Sequence, residues 1–141
     1  MQNNYKLIMD LLFQELYQSA AALIKQRYAP RKHVIAAAVM GASGKIYTAV
    51  NLDCHLRRAA VCGEGAAIAI AMSAGEEKIK AVLALRHDPK QPKDLWVVSP
   101  CGVCRELIMD YGPGAAVYMP DQQDGAHAMS SEALLPNRYA K

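Results

Sequence analysis

The sequence predicts an α/β sandwich in which helices pack on a central sheet. Its elements follow the order α-β-β-α-β-α-β, and helices interleaved with strands in this way are typical of helices layered on a sheet. With 141 residues, 52% of them hydrophobic and 21% charged, the chain is large enough to bury a core without disulfide bonds. We therefore expect one domain that spans residues 1–141.

The first third of the chain predicts one long helix and a hairpin. Apolar residues recur at helical spacing through residues 4–27, and this helix should end before Pro30 because the position before a proline disfavours helical backbone. Two runs of strand character follow, at residues 33–40 and 45–50. The Ser43-Gly44 pair between them is a turn signal, so the two runs are predicted to form a hairpin.

The rest of the chain alternates helices with shorter strands. Residues 51–61 lack clean periodicity and are predicted to form a loop, after which an alanine-rich helix should begin near Cys62 and end at about Gly75. Its composition predicts that this helix is fully buried. The remaining predictions are strands at 79–85 and 115–119, a helix at 102–111, and a loop-rich tail that ends in a capped turn at 130–136. Residues 96–98 lead into the second cysteine motif.

Two short motifs place three cysteines and one glutamate at predicted helix starts. Cys62-Gly63-Glu64 begins the alanine-rich helix, and Cys101 and Cys104 form a C-x-x-C motif at the start of the next helix. Three protein ligands leave the fourth tetrahedral position of a zinc ion open, which is the arrangement of a catalytic rather than a structural site. Glu64 is not needed as a ligand. The motifs therefore predict a zinc site with a spare carboxyl that can shuttle protons.

The position of these cysteines at helix starts has an electrostatic reason. The positive end of a helix dipole, with its free backbone N–H groups, stabilises a thiolate and lowers its pKa. Arg105 directly follows the last cysteine of the C-x-x-C motif. We expect it to donate hydrogen bonds to a thiolate and to offset the negative charge of the sulfur cluster.

Two alternative interpretations of the cysteines remain open at this stage. A C-x-x-C motif also occurs in redox proteins and zinc ribbons, although a redox motif is usually an isolated pair whereas Cys62 adds a third thiol. A structural zinc site would need a fourth ligand, for which Cys54 and His55 are candidates. If it is not a ligand, Cys54 is predicted to be a free buried thiol.

Charge and hydropathy argue against nucleic-acid and membrane partners. The formal net charge is +3 and there is no block of five or six like charges, so the basic residues indicate a solvated surface. No uninterrupted apolar run approaches the ~20 residues of a membrane span. The N-terminus carries Asp10 and shows no cleavage site of a secretory signal. A cytoplasmic location is expected, where reduced thiols favour metal binding over disulfides.

Four further segments carry recognisable motifs. They are Tyr28-Ala29-Pro30, residues 44–51 (GKIYTAVN), residues 99–105 (SPCGVCR) and Leu134-Leu135-Pro136. Together with the C-x-E and P-C-x-x-C signature of zinc deaminases, they resemble the cytidine deaminase superfamily, and in particular its tetrameric, three-cysteine nucleoside branch. The resemblance covers nearly the whole chain. It implies a three-layer α-β-α sandwich whose central mixed sheet has about five strands, with helices on both faces.

The resemblance also implies roles for individual residues. Cys62, Cys101 and Cys104 would hold Zn²⁺, the implied cofactor. Glu64 would take a proton from the attacking water and pass it to the pyrimidine N3 and the leaving amine. The resemblance also implies that the backbone N–H of Gly63 contacts the pyrimidine carbonyl, and that the side chains of Asn51 and Asp53 contact the ribose hydroxyls. His33 aligns nearest to the phenylalanine that stacks on the base in the family.

Two of these roles have a simpler alternative. Asp53 is equally consistent with an ordinary loop cap. His33 is also consistent with a partly buried strand residue that contacts no substrate.

This sequence departs from the branch at several positions. The family's C-A-E-R is Cys62-Gly63-Glu64-Gly65 here, so the arginine that usually neutralises a thiolate is missing and Arg105, or Arg57 and Arg58, would have to replace it. Residues 54–61 also differ from the family's loop. These changes resemble relatives of blasticidin S deaminase.

The resemblance implies zinc-dependent hydrolytic deamination of a cytosine nucleoside, with release of ammonia. Its substrate would be a small molecule, and the chain is expected to form a homotetramer. Blasticidin S or another aminated heterocycle remains open as the substrate. A zinc-stabilised interaction module without catalysis is the non-enzymatic alternative.

Overall fold

The structure, a computed structural model, describes residues 1–122 and 125–141 of the chain. Its helices are α1 (Gln2–Arg27), α2 (Gly63–Ser73), α3 (Gly102–Tyr111) and α4 (Ser131–Leu134), and Arg57–Ala59 forms a 3-10 turn. Its strands are β1 (Ile35–Gly41), β2 (Ile46–Val50), β3 (Ile79–His87), β4 (Leu95–Val97), β5 (Ala116–Pro120) and β6 (Ala126–Ser130).

Within the described residues, six strands form one mixed sheet in the order β2-β1-β3-β5-β6, with β4 also paired to β3. β1 is antiparallel to both β2 and β3, whereas β3 is parallel to β5. β4 pairs with residues 85–87 of β3, and β5 pairs with residues 81 and 82 of the same strand. Because β1 takes the other edge of β3, β4 and β5 share one edge. The chain leaves this edge after β4 to begin α3.

The sheet separates two apolar layers, which confirms the predicted sandwich with helices on both faces. Along β1, Ala36 and Ala38 pack in the layer that contains α1, while Ala37 and Val39 pack in the layer that contains α2 and α3. This alternation is the period of two that a strand buried on both faces requires. Small side chains on β1 let both helical layers approach the sheet closely.

One face of α1 is part of the core. Leu16, Ala20 and Ile24 are fully buried against the sheet, and the helix ends at Arg27 as predicted. By length and composition alone α1 would suit a membrane span, but these contacts are those of a core helix in a globular domain. Its first turns are more exposed; the side chains that are more than half exposed include Tyr5, Leu7, Ile8 and Leu11.

The structure corrects two predictions about the fold. The tail was expected to be a loop before residue 130, yet Ala126–Ser130 forms the edge strand β6 on β5. Most of its side chains are exposed, so it lacks the apolar signal of a buried strand. The prediction that α2 is fully buried is wrong, because Ala69 and Ile70 are exposed on its outer face. Only one side of this helix lies on the sheet.

Candidate active site

The three predicted ligand cysteines come together at the starts of α2 and α3. Cys62 is the N-cap of α2, Cys101 is the N-cap of α3, and Cys104 lies in the first turn of α3. Their Sγ atoms all lie within 4.8 Å of one another, and those of Cys62 and Cys101 are 3.4 Å apart. All three are free thiols. Sulfur ligands in a set of three fit zinc, whereas calcium and magnesium take oxygen ligands.

Close packing of α2 on the sheet fixes the position of the first ligand. Gly63 is the first residue of α2, and a Cβ at this position would lie 3.2 Å from the backbone N of Ala37 and 3.4 Å from the carbonyl oxygen of Ala49. The helix start therefore rests directly on β1 and β2. The N–H of Gly63, at the first helical position, has no acceptor within the helix and is available to a ligand.

Glu64 is buried beside the cysteine cluster, as the C-x-E motif predicts. Its side chain is 5% exposed, and its Oε2 lies 4.0 Å from the Sγ of Cys104. Burial raises the pKa of this carboxyl above its ordinary value. A carboxyl with a raised pKa exchanges protons near neutral pH more readily than an exposed glutamate. Its position and its environment both suit a proton shuttle.

The thiols oppose one another's ionisation. Burial raises the pKa of Cys62 and of Cys104, and for Cys104 the negative charges of Glu64, Cys62 and Cys101 raise it further. Burial also acts against ionisation of Cys101, but hydrogen bonds, first of all from the backbone N–H of Cys104, lower its pKa overall. A divalent cation among the sulfurs would relieve this repulsion and displace the protons. The electrostatics of the cluster therefore favour a bound metal ion.

Arg105 contacts backbone carbonyls near the cluster. Its Nε donates to the carbonyl oxygen of Pro100 at 3.0 Å, and its Nη1 donates to that of Leu134 at 3.2 Å. These bonds fix the segment before Cys101 and tie α3 to the C-terminal α4. Compensation of the thiolate charge by Arg105 remains a prediction, with Arg57 and Arg58 of the 3-10 turn as the alternatives.

Gly65 stands where the family pattern has an arginine, and its lack of a side chain allows two helices to pack closely. A Cβ at Gly65 would lie 3.3 Å from Cδ1 of Leu107, so α2 and α3 approach each other at this point. The positive ends of these two helices remain as a source of compensation for the sulfurs.

Asn51 and His33 join the end of β2 to the segment before β1. The Oδ1 of Asn51 accepts hydrogen bonds from the backbone N–H groups of Val34 and Ile35, both at 2.9 Å. The Nδ1 of His33 lies 2.8 Å from the carbonyl oxygen of Asn51. Because a carbonyl can only accept, Nδ1 is the donor, and a neutral ring has an unprotonated Nε2. The Asn51 amide oxygen is thus used within the fold, while its NH₂ group can serve a ligand.

Asp53 and Cys54 lie on the exposed loop that follows. The Oδ1 of Asp53 accepts from the backbone N–H of Cys54 at 2.9 Å, which is a loop-cap contact. The prediction that Cys54 is buried is wrong, since its thiol is exposed and donates to the carbonyl oxygen of Leu56 at 2.8 Å. Among the described residues, the metal-ligand cluster contains the other three cysteines and neither Cys54 nor His55. The fourth ligand of a structural site is not present in it.

Sequence reasoning missed the residues that support the site. Ala37 and Ala49 lie under the start of α2, and the carbonyl of Pro100 holds Arg105. The run of small residues in β1 was a signal for close helix packing, but it does not identify which helix start rests on it. Arg31 and Lys32, which line a cavity with Asp53, gave no separate signal.

Comparison with known proteins identifies the family. The family described as "Cytidine and deoxycytidylate deaminase zinc-binding region" matches residues 12–120. The chain belongs to this family. Blasticidin-S deaminase from Bacillus cereus is 35% identical over 130 residues, which cover 90% of this chain and 91% of that protein. Cytidine deaminase from Sporosarcina psychrophila is 31% identical over 119 residues, which cover 83% of each chain.

A solved structure shows the same fold. The crystal structure of the cytidine deaminase from Bacillus anthracis superposes with a TM-score of 0.77 at 30% identity, and the match covers 89% of this chain and 88% of that one. The predicted fold class, resemblance and zinc cofactor are confirmed. As a member of this deaminase family, the chain is a zinc-dependent hydrolase that cleaves a C–N bond, and a soluble protein.

The cluster predicts how zinc content responds to substitution. The purified protein should carry about one zinc ion per chain, because three thiolates form one ligand set. Cys62→Ala should lose most of this zinc, since two remaining sulfurs bind far more weakly. Cys54→Ala is the matched control and should keep it. Elemental analysis of the folded variants measures this, and full zinc retention in Cys62→Ala combined with loss in Cys54→Ala would contradict the assignment.

Proposed function

We propose that this deaminase acts on the cytosine ring of a nucleoside, replacing the ring amine with oxygen and releasing ammonia. The observation that carries the proposal is the buried Glu64, whose Oε2 lies 4.0 Å from a sulfur of the three-cysteine cluster. A structural metal site needs only its ligands, whereas a buried carboxyl that is not a ligand can transfer protons in a catalytic site. The relatives named cytidine deaminase support the same substrate class.

The reaction needs a nucleophile and a moving proton. Zinc bound by Cys62, Cys101 and Cys104 would supply Lewis acidity at neutral pH. Glu64 takes one proton from the attacking water and delivers it to the pyrimidine N3, and it then carries the second proton, from the hydroxyl formed on the ring carbon, to the leaving amine. Burial of its carboxyl holds the proton close to the reacting ring and away from bulk water.

Groups around the cluster position the substrate. The free N–H of Gly63 donates to the pyrimidine carbonyl, at the positive end of α2. The NH₂ of Asn51 and the exposed carboxylate of Asp53 contact sugar hydroxyls. His33 lies beside the base, and its ring is held by the hydrogen bond to Asn51. Asp53 can keep its loop-cap bond through Oδ1 while Oδ2 accepts from the sugar.

A second substrate is favoured by the comparison with Blasticidin-S deaminase, which is 35% identical over most of both chains. Gly65 and the altered loop at 54–61 resemble that kind of relative. The chemistry is the same on either substrate, because only the group attached to the cytosine changes. The family's hydrolase class argues against a zinc-stabilised interaction module.

Turnover of a substrate panel tests the proposal. The zinc-loaded parent should deaminate cytidine or deoxycytidine, with a falling ultraviolet absorbance of the cytosine ring, and free cytosine should react poorly. Glu64→Gln should fold, retain zinc and lose at least ~10⁴-fold in kcat, because general acid–base catalysis and water orientation are both lost.

Glu77→Gln is the matched control for that variant. Glu77 is an exposed carboxylate outside the site, so its substitution should leave kcat unchanged. Substantial activity of Glu64→Gln would contradict the proposed role of Glu64. Turnover of blasticidin S but not of cytidine would transfer the assignment to the second substrate.

Exposed apolar side chains on α2, α3 and the loop before α2 support association between copies of this chain, and the resemblance to the tetrameric branch makes a homotetramer the expected form. Ile70 on α2 is 46% exposed and Val103 on α3 is 70% exposed. Leu52, Leu56 and Val61 are exposed on the loop between β2 and α2. Apolar groups of this kind are commonly covered in symmetric oligomers. We propose that copies of this chain cover them, in a cytoplasmic enzyme.

Assembly should depend on the outer face of α2. Light scattering of the parent should give the mass of a tetramer. Ile70→Lys should shift the mass towards smaller species, because a charge would be buried in the contact. The control Tyr139→Lys, near the C-terminus, should leave the mass unchanged. A parent that is an active monomer at the assay concentration would contradict this proposal.

A further inference from the structure

Helix α2 carries two groups of the active site at its start and is tied to the sheet at its opposite end. Cys62 and Glu64 lie at the start, which packs on β1 at Ala37. Further along the same strand, Gly41 packs against the side chain of Glu76, which follows the end of α2. The helix therefore lies along β1 and is in contact with it near both ends.

The end of α2 fixes the backbone of Glu76. Gly75 has φ 94°, and its N–H donates to the carbonyl oxygen of Met72 at 3.0 Å, while the N–H of Glu76 donates to that of Ala71 at 3.1 Å. These are the two hydrogen bonds of a Schellman motif, in which a glycine takes the left-handed position after the helix. The Cα of Glu76 is thus held in a fixed position relative to the axis of α2.

The carboxylate of Glu76 binds the hairpin that joins β1 to β2. Its Oε2 accepts from the backbone N–H of Ser43 at 3.1 Å, and its Oε1 accepts from the Tyr47 hydroxyl at 2.9 Å and from the Ser43 hydroxyl. Gly41 leaves room for this carboxylate, because a Cβ there would collide with it. Hydrogen bonds, first of all from the Ser43 hydroxyl, lower the pKa of Glu76, so the group is ionised at neutral pH. We call these four residues, Gly41, Ser43, Tyr47 and Glu76, the latch.

The side of α2 that faces the sheet has little shape of its own. In α2, which the structure describes in full, the buried apolar side chains are those of Ala67, Ile68 and Ala71, and only Ile68 is large. Helices lock onto their neighbours when ridges of side chains enter grooves, and alanine forms only shallow ridges. Contacts at the ends of α2 must therefore fix the angle of this helix on the sheet.

A small change in this angle would disturb the active site. The 11 residues of α2 make it about 16 Å long, so a rotation of about 5° about one end moves the other end by about 1.4 Å. Such a movement would shift Cys62 and Glu64 relative to Cys101 and Cys104, which belong to α3. A misplacement of about 1 Å at reacting groups can cost about 10²-fold in rate.

Resting on the proposed role of Glu64, we propose that Glu76 is a positioning residue for the active site: by binding the β1–β2 hairpin it holds α2 at the angle that places Cys62 and Glu64 against the cysteines of α3. Glu76 lies at the far end of α2 from those groups and acts only through the helix. Asn51 and His33, the proposed substrate contacts, lie at the ends of β2 and β1 away from the hairpin. The latch should therefore control zinc retention and kcat rather than substrate binding.

Two substitutions release the latch in different ways. Glu76→Ala removes the carboxylate, and Gly41→Ala places a methyl group in the space that the carboxylate occupies. In each variant, EDTA should remove zinc roughly 10-fold or more faster than from the parent, and kcat for cytidine should fall roughly 10-fold or more while KM stays within about 2-fold. With cobalt(II) bound in place of zinc, the visible absorption bands should also change, because they depend on the arrangement of the ligands.

The double variant Gly41→Ala/Glu76→Ala tests whether the two substitutions act on the same contact. It should resemble Glu76→Ala alone, because no carboxylate remains for the added methyl group to displace. Glu77→Ala is the matched control, since Glu77 is the exposed neighbouring glutamate and lies outside the latch. It should behave like the parent in every measurement.

Milder variants keep the test decisive if Glu76→Ala does not fold. Glu76→Gln retains one acceptor oxygen, and Tyr47→Phe removes one of the three hydrogen bonds. Both should show faster zinc release and lower kcat than the parent, by less than Glu76→Ala.

The proposal is overturned if the folded Glu76 variants release zinc at the parent rate and keep the parent kcat. A lower melting temperature as the sole change would show that the latch only stabilises the fold. Additive effects in the double variant would also contradict it. Zinc release and the cobalt spectrum need no substrate, so they decide on the latch even if the parent fails to deaminate cytidine, a result that would count against the proposed function alone.

Discussion

The constraint on which the site depends is the mutual repulsion of three sulfurs whose Sγ atoms lie within 4.8 Å of one another. As thiolates they would carry three negative charges in a partly buried space, which is costly without a cation. Cys62 and Cys101 are the N-caps of two helices, where the positive ends of the helix dipoles offset part of this negative charge. The sheet and the helices then have to bring these helix starts together. Gly63 lets the start of α2 rest directly on β1 and β2, and Gly65 lets α2 approach α3 closely.

The same burial gives the site its chemistry. Glu64 is 5% exposed and its pKa is raised by burial, so one carboxyl can both accept and release a proton close to the metal position. A single environment thus holds a cation, through the sulfurs, and tunes an acid–base group. Asn51 and Asp53, which we propose contact the sugar, lie at the end of β2 and on the exposed loop that follows, where specificity could change without disturbing the cluster.

The chemistry of the site could be predicted from the sequence because it depends on local spacing. C-x-E and C-x-x-C each place their residues within one helical turn, and glycine and proline mark the helix ends. Features that depend on tertiary placement could not be predicted. β6 has mostly exposed side chains, the exposure of Cys54 depends on where its loop lies, and the carbonyl partners of Arg105 come from Pro100 and the distant Leu134.

X-ray absorption spectroscopy at the zinc edge of the purified enzyme tests the central claim most directly. A site built from three cysteines with one open position should show three sulfur scatterers and one lighter oxygen or nitrogen scatterer per zinc. Addition of a substrate analogue should alter the lighter scatterer and leave the three sulfurs in place. Four sulfurs, which would bring in Cys54, or two sulfurs with histidine nitrogens would contradict a catalytic three-thiolate site.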